Sequence, residues 1–167
     1  MEKLNSLQDL FVHELKDLYS AEQQILQALP KMAGATEHER LRQAFEDHAR
    51  VTRDQVRRLD MIADDLGIDL KGHKCKGIEG IIKEGEDLIG SRTEPDVMDA
   101  GLIGAAQRVE HYEIAGYGTA RTFARRLGHA RAAELLQQTL DEEGNTDQQL
   151  TQIAEDLVNP DAQTGMR

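Results

Sequence analysis

The sequence has no tryptophan, only three prolines and a single cysteine. With Cys75 alone no internal disulfide can form, which excludes the cross-linked framework of small secreted domains. No apolar run approaches the ~20 residues that span a bilayer. The start, Met1-Glu2-Lys3-Leu4-Asn5, carries no apolar signal core. Positive charge is also scarce: 20 Lys and Arg stand against 31 Asp and Glu, a formal net charge of −11. Nucleic acid and anionic membranes are therefore disfavoured as partners, since phosphate backbones need a basic face. Strand signals are absent, and so is a repeat at solenoid spacing. The expectation is a cytoplasmic protein whose field attracts cations.

What remains is helical. The 167 residues suit one domain with a real core. Charged residues at 31% and hydrophobic ones at 39% fit a helical bundle. Ser6-Leu7-Gln8-Asp9 resembles a capping box that opens a first helix, which Pro30 and Gly34 end. A second box, Thr36-Glu37-His38-Glu39, opens a helix running to about Leu66 and ended by Gly67. Between Gly67 and Asp96 lie six glycines and Pro95, with a short helix expected within Ile78 to Ile89. That segment is long enough to cross from one end of a bundle to the other. A third long helix runs from about Val97 to Leu127 and stops at Gly128. A fourth runs from about Ala130 to Leu157 and stops at Asn159-Pro160. Residues 1–160 thus form one domain, with 161–167 a disordered tail. The fold class is all-α: a four-helix bundle with a long crossover that contains an additional short helix.

The inward stripes carry acids where a core should be apolar. Indexed at about 100° per residue, Glu14 and Glu22 each lie about 40° from the first stripe's centre. His48 is at the centre of the second stripe, followed by Thr52 and Gln55. In Glu110-His111-Tyr112-Glu113, Glu113 falls on the third stripe and Glu110 toward its edge. Glu143 and Asp147 lie within about 20° of the fourth stripe's centre. A buried carboxylate is costly unless it is paired or binds a metal.

The groups also share a height. Glu22 is twelve residues before Gly34 and His48 fourteen after it; Glu113 and Glu143 are each fifteen from Gly128. At ~1.5 Å per residue, each pair lies roughly 20 Å from its loop, near the middle of helices roughly 45 Å long. Glu14 fails this count and stands level with Gln55, so Glu22 is favoured over it. Several carboxylates in one dry core cannot all be charged without a cation. The metal candidates are therefore Glu22, His48, Glu113, Glu143 and Asp147, with Glu110 and Glu14 as further candidates. Oxygen and imidazole donors suit iron or manganese, as a pair or a single ion. His111 is expected at the surface. Tyr112 and Tyr117 are expected to pack, Thr52 and Gln55 to hydrogen-bond behind the ligands, and His73 with Cys75 to be structural.

Several segments resemble the YciF/YciE family: His13-Glu14-Leu15-Lys16-Asp17-Leu18-Tyr19-Ser20-Ala21-Glu22, Ala28-Leu29-Pro30-Lys31-Met32, Lys74-Cys75, Val109-Glu110-His111-Tyr112-Glu113-Ile114-Ala115, and Leu140-Asp141-Glu142-Glu143 with Thr146-Asp147. The resemblance runs from about Leu4 to Leu157. It implies a ferritin-like, rubrerythrin-like bundle that forms homodimers and takes part in bacterial stress responses. The Glu-x-x-Glu of rubrerythrin-like proteins is matched by Glu110 and Glu113. The Glu-x-x-His usual on the second and fourth ferritin-like helices is not matched: Phe45 stands three before His48, and Thr146 three after Glu143. Two readings follow. One is a di-iron or di-manganese carboxylate protein, redox-active toward peroxide or dioxygen, with an external reductant because no Cys-x-x-Cys module is present. The other is a non-enzymatic dimeric structural or interaction protein with a partial or vestigial metal site.

Overall fold

A computed structural model describes residues 4–164. Four long helices, α1 (Leu7–Ala35), α2 (Glu39–Leu66), α4 (Pro95–Leu127) and α5 (Ala130–Ile153), form the bundle, and α3 (Lys76–Ile89) lies in the crossover. A five-residue π-helical turn, Ala154–Val158, leads into α6 (Asn159–Thr164). The expected architecture is present. Each long helix touches two neighbours in the order α1, α2, α5, α4, and α3 packs on α1 and α4.

Local chemistry sets the ends. Ser6 Oγ accepts the Asp9 amide at 3.1 Å and Asp9 accepts the Asn5 amide at 2.9 Å, so the first cap forms with its return bond one residue before the cap. Gly67 and Gly128 take left-handed conformations (φ 63° and 80°) that close α2 and α4, where a side chain would be strained. Three expectations are corrected. α1 runs through Pro30 to Ala35, a site that forfeits one intrahelical bond without ending the helix. The Thr36 box does not form. Instead the fully buried Asp99 of α4 accepts the amides of Glu37 (3.2 Å) and His38 (2.9 Å) and caps α2 from across the bundle. Nor does the last helix stop at Asn159-Pro160. Pro160 has no N–H to give, so the backbone widens and the Asn159 amide bonds Ala154 O before helix resumes. Asp161 to Thr164, expected as tail, belong to α6; the expectation for 165–167 lies outside the described residues.

The apolar core is in two parts. At one end Ile25, Leu29, Leu41, Phe45, Leu102, Leu150 and Val158 cluster with the crossover residues Cys75 and Ile78. At the other end Phe11, Leu15, Leu59, Ile62, Ala120 and Leu136 cluster with Leu70. Between them, on every long helix, lies a buried polar layer: Glu22, His48, Thr52, Gln55, Glu110, Glu113, Thr139 and Glu143.

Candidate metal centre

The layer is assembled by helical repeat. Glu110 and Glu113 are one turn apart on α4 and point the same way. His48 on α2 sits between α4 and α5. Its Nδ1 is 3.3 Å from Glu110 Oε1 and its Nε2 is 3.7 Å from Glu143 Oε2. His48, Glu110, Glu113 and Glu143 each offer a donor atom within 4.8 Å of the others. Glu22 on α1 adjoins the group, close enough to Glu113 and Glu143 for the three carboxyls to shift one another's protonation.

Seven buried side-chain atoms of these four acids and the histidine have no hydrogen-bond partner among the described residues: Glu22 Oε2, His48 Nε2, both oxygens of Glu110, both of Glu113, and Glu143 Oε2; Gln55 Oε1 is an eighth in the layer. Groups so placed cost free energy unless something binds them. Burial pushes Glu22 up to about 8, with the Glu143 charge adding and the Tyr117 bond opposing. Burial, then neighbouring carboxylates, pushes Glu110 and Glu113 well above the usual carboxylate range. For Glu143 burial acts in the same direction, but the adjacent His48 imidazole, the neighbouring Glu110 carboxyl and the Gln55 amide outweigh it and hold the carboxyl low. One carboxylate is thus stabilised as an anion while its neighbours are driven to hold protons. Carboxyls of this kind must give up their protons before they can ligate a cation.

The supporting partners are defined. Tyr117, fully buried, donates its phenol to Glu22 Oε1. Gln55 donates Nε2 to Glu143 and, at 3.3 Å, to Glu142. Glu142 is held by both guanidinium nitrogens of Arg58 at 2.6 Å. The hydrogen-bonding role expected of Gln55 is therefore present, whereas Thr52 turns back to His48 O at 3.0 Å.

Five of the seven sequence candidates come together: Glu22, His48, Glu110, Glu113 and Glu143. Glu110, read as an edge position, is fully buried and central. Asp147 stays outside. Its carboxylate accepts from Gln107 Nε2 at 3.0 Å and approaches the exposed His111 at 3.3 Å. Glu14 is also outside and only partly buried. Gln55, which the count places level with it, donates instead to Glu142 and Glu143. Tyr117 was assigned to packing; a phenol spaced one turn beyond Glu113 was the signal that could have marked it.

A second polar cluster lies near the crossover. Tyr112 donates to Asp17 Oδ2 at 2.7 Å and lies 3.0 Å from Cys75 Sγ, and His73 Nε2 is 2.9 Å from Asp17 Oδ1. Burial, foremost, raises the Cys75 thiol, so it is a poor nucleophile and fits the structural role expected of it.

A family model described as a domain of unknown function, DUF892, matches residues 6–163. The chain belongs to that family. It is 45% identical over 161 residues to Protein YciF of Escherichia coli (strain K12), covering 96% of this chain and 97% of that protein. The crystal structure of the E. coli stress protein YciF superposes with a TM-score of 0.90 at 46% identity, covering 93% and 99% of the two chains. YcfI from Rhodopseudomonas palustris, whose description proposes a structural role, matches with a TM-score of 0.87 at 39% identity, covering 90% and 96%. The resemblance read from the sequence is thus correct. Among the described residues no helix is long and apolar enough to cross a membrane.

Proposed function

We propose that this DUF892 protein is a ferritin-like metal-binding stress-response protein. It would hold iron or manganese among Glu22, His48, Glu110, Glu113 and Glu143. The observation that carries the reading is the convergence of four fully buried carboxylates on one barely exposed imidazole, with seven unpartnered donor atoms. Four carboxylates carry the charge that two divalent cations cancel, and the all-oxygen and imidazole set suits iron and manganese. Bound, such ions supply one-electron chemistry toward peroxide or dioxygen. The chain's part is to exclude water through the two flanking apolar clusters, to orient Glu22 through Tyr117, and to orient Glu143 through Gln55. The stress role of YciF and the expected homodimer and cytoplasmic location belong to the same reading.

The test is elemental analysis of protein purified from iron- and manganese-supplemented cells, with melting curves of the apo form. About one or two ions per chain are expected for a carboxylate centre. Added ferrous or manganous ion should raise the melting temperature. Neither retained metal nor a melting shift would sink the proposal.

A structural role is the second reading, favoured by the description of YcfI and by the single histidine in the layer. It expects no peroxidase, catalase or ferroxidase turnover from metal-loaded protein. Appreciable turnover would exclude it.

A further inference from the structure

We infer that the cleft between α2 and α5 is the route by which a divalent cation reaches the buried carboxylates. The inference rests on the metal-binding reading. Glu22, Glu110, Glu113 and Glu143 are all 0% exposed, whereas His48 retains 4%. His48 is therefore the one member of the set that meets solvent. It does so at the floor of a cleft of about 280 Å³ lined by Asp47 and Val51 of α2 and by Glu142, Asn145, Thr146 and Gln149 of α5. At about 30 Å³ each, that space holds several waters, so a hydrated ion can enter before it sheds its shell.

The lining suits a cation. It supplies two amide oxygens, a hydroxyl and two carboxylates, and although Asp47 is paired with Arg50 and Glu142 with Arg58, each carboxylate keeps lone pairs with which it can replace a water ligand. Glu142 at the cleft and Glu143 in the centre share the Gln55 amide as a common donor, so an oxygen at the mouth is linked to one at the site. The net charge of −11 raises the local cation concentration.

Three further cavities reach none of the five residues. The largest, about 1120 Å³ near the α3 start, is lined by Lys16, Lys71, Lys74 and Lys76 together with Asp9 and Asp17, and borders none of the buried acids. The groove between α1, α3 and α4 is narrow and almost wholly apolar. A cleft on the other side of α2, beside Glu46, is lined by Arg42, Arg50 and Arg53.

The experiment mixes apo protein with cobalt(II) chloride in a stopped-flow instrument. Cobalt's visible absorption reports ligation without redox change. Thr146→Trp should slow uptake by roughly tenfold or more and leave the final cobalt per chain unchanged. Glu46→Trp, in the other α2 cleft, should load at the wild-type rate. A reversible block guards against distortion by the tryptophan. Asn145→Cys carrying a bulky disulfide adduct should load slowly, and removal of the adduct with thiol and desalting should restore the rate; Cys75 is fully buried and should escape labelling. Wild-type loading rates in Thr146→Trp or in the blocked Asn145→Cys would overturn the route and leave the metal reading standing. Absence of any cobalt spectrum in the wild type would remove the metal reading, and this inference with it.

Discussion

At the scale of single residues, the layer between the two core clusters is held in a charge conflict. Glu110 and Glu113 share one face of α4, and each is pushed up by burial and by neighbouring acids. Glu113→Leu removes one buried carboxyl at roughly constant volume. It should abolish metal uptake and leave the apo fold as stable or more stable, by up to about 4 kcal/mol. Elemental analysis and urea unfolding at pH 8 read both effects. Asp147→Ala should leave metal per chain unchanged, because that carboxylate is occupied by Gln107 and His111. Full loss of metal in Asp147→Ala would show the centre to be misplaced. Tyr117→Phe removes the donor to Glu22 and should cost about 1–3 kcal/mol in urea unfolding of the apo protein, the usual penalty for orphaning a buried acceptor. An unchanged unfolding midpoint would show that the phenol does not support Glu22.

At the scale of elements, contacts distant in sequence replace local signals. The start of α2 is capped by Asp99, about sixty positions away, while Thr36 Oγ1 accepts the His38 amide at 3.2 Å and not the Glu39 amide that its box requires. Asp99→Ala should cost about 1–2 kcal/mol, the usual range for a lost cap. Hydrogen exchange should speed up at the Glu37 amide, and less at His38, which Thr36 also holds, before it does within α2. Exchange unchanged at those amides would refute the cap. The α3 segment shows similar dependence on fit. A Cβ at Gly77 would stand 2.6 Å from the Tyr112 ring, so glycine lets α3 approach α4 closely enough for Tyr112 to meet Cys75 and Asp17.

At the scale of the whole molecule, the polar layer couples stability to pH and, on the metal-binding reading, to cations. Glu22 titrates near 8 when folded, far above its ordinary value of 4.5. Glu110 and Glu113 are shifted the same way. The folded state therefore holds more protons than the unfolded chain between those limits, and stability falls as pH rises. The apo melting temperature should drop from pH 5 to pH 8, and saturating manganous ion should flatten or reverse that slope by replacing the protons. An apo protein equally stable at both values would mean that the layer is relieved in another way.

The bundle, its crossover and the height of the acids were legible because each depends on counting along one chain. Apolar residues recur at helical spacing, Gly67 and Gly128 can close helices, and fifteen residues separate Glu113 and Glu143 alike from Gly128. Glu22, His48, Glu113 and Glu143 were placed in one layer by that count alone. The rest depended on neighbours. A stripe drawn on one helix assumes that the core lies in one direction. α4 instead touches α1, α3, α5 and α6, so its buried arc is wide and takes in Glu110. Asp147 lies near the centre of its own stripe yet turns to the bundle's flank, where Gln107 and His111 receive it. Periodicity thus determined which helices form and at what height their acids lie. Only the packing of those helices against one another decided which carboxylates meet, because burial is a property of the neighbours and not of the residue.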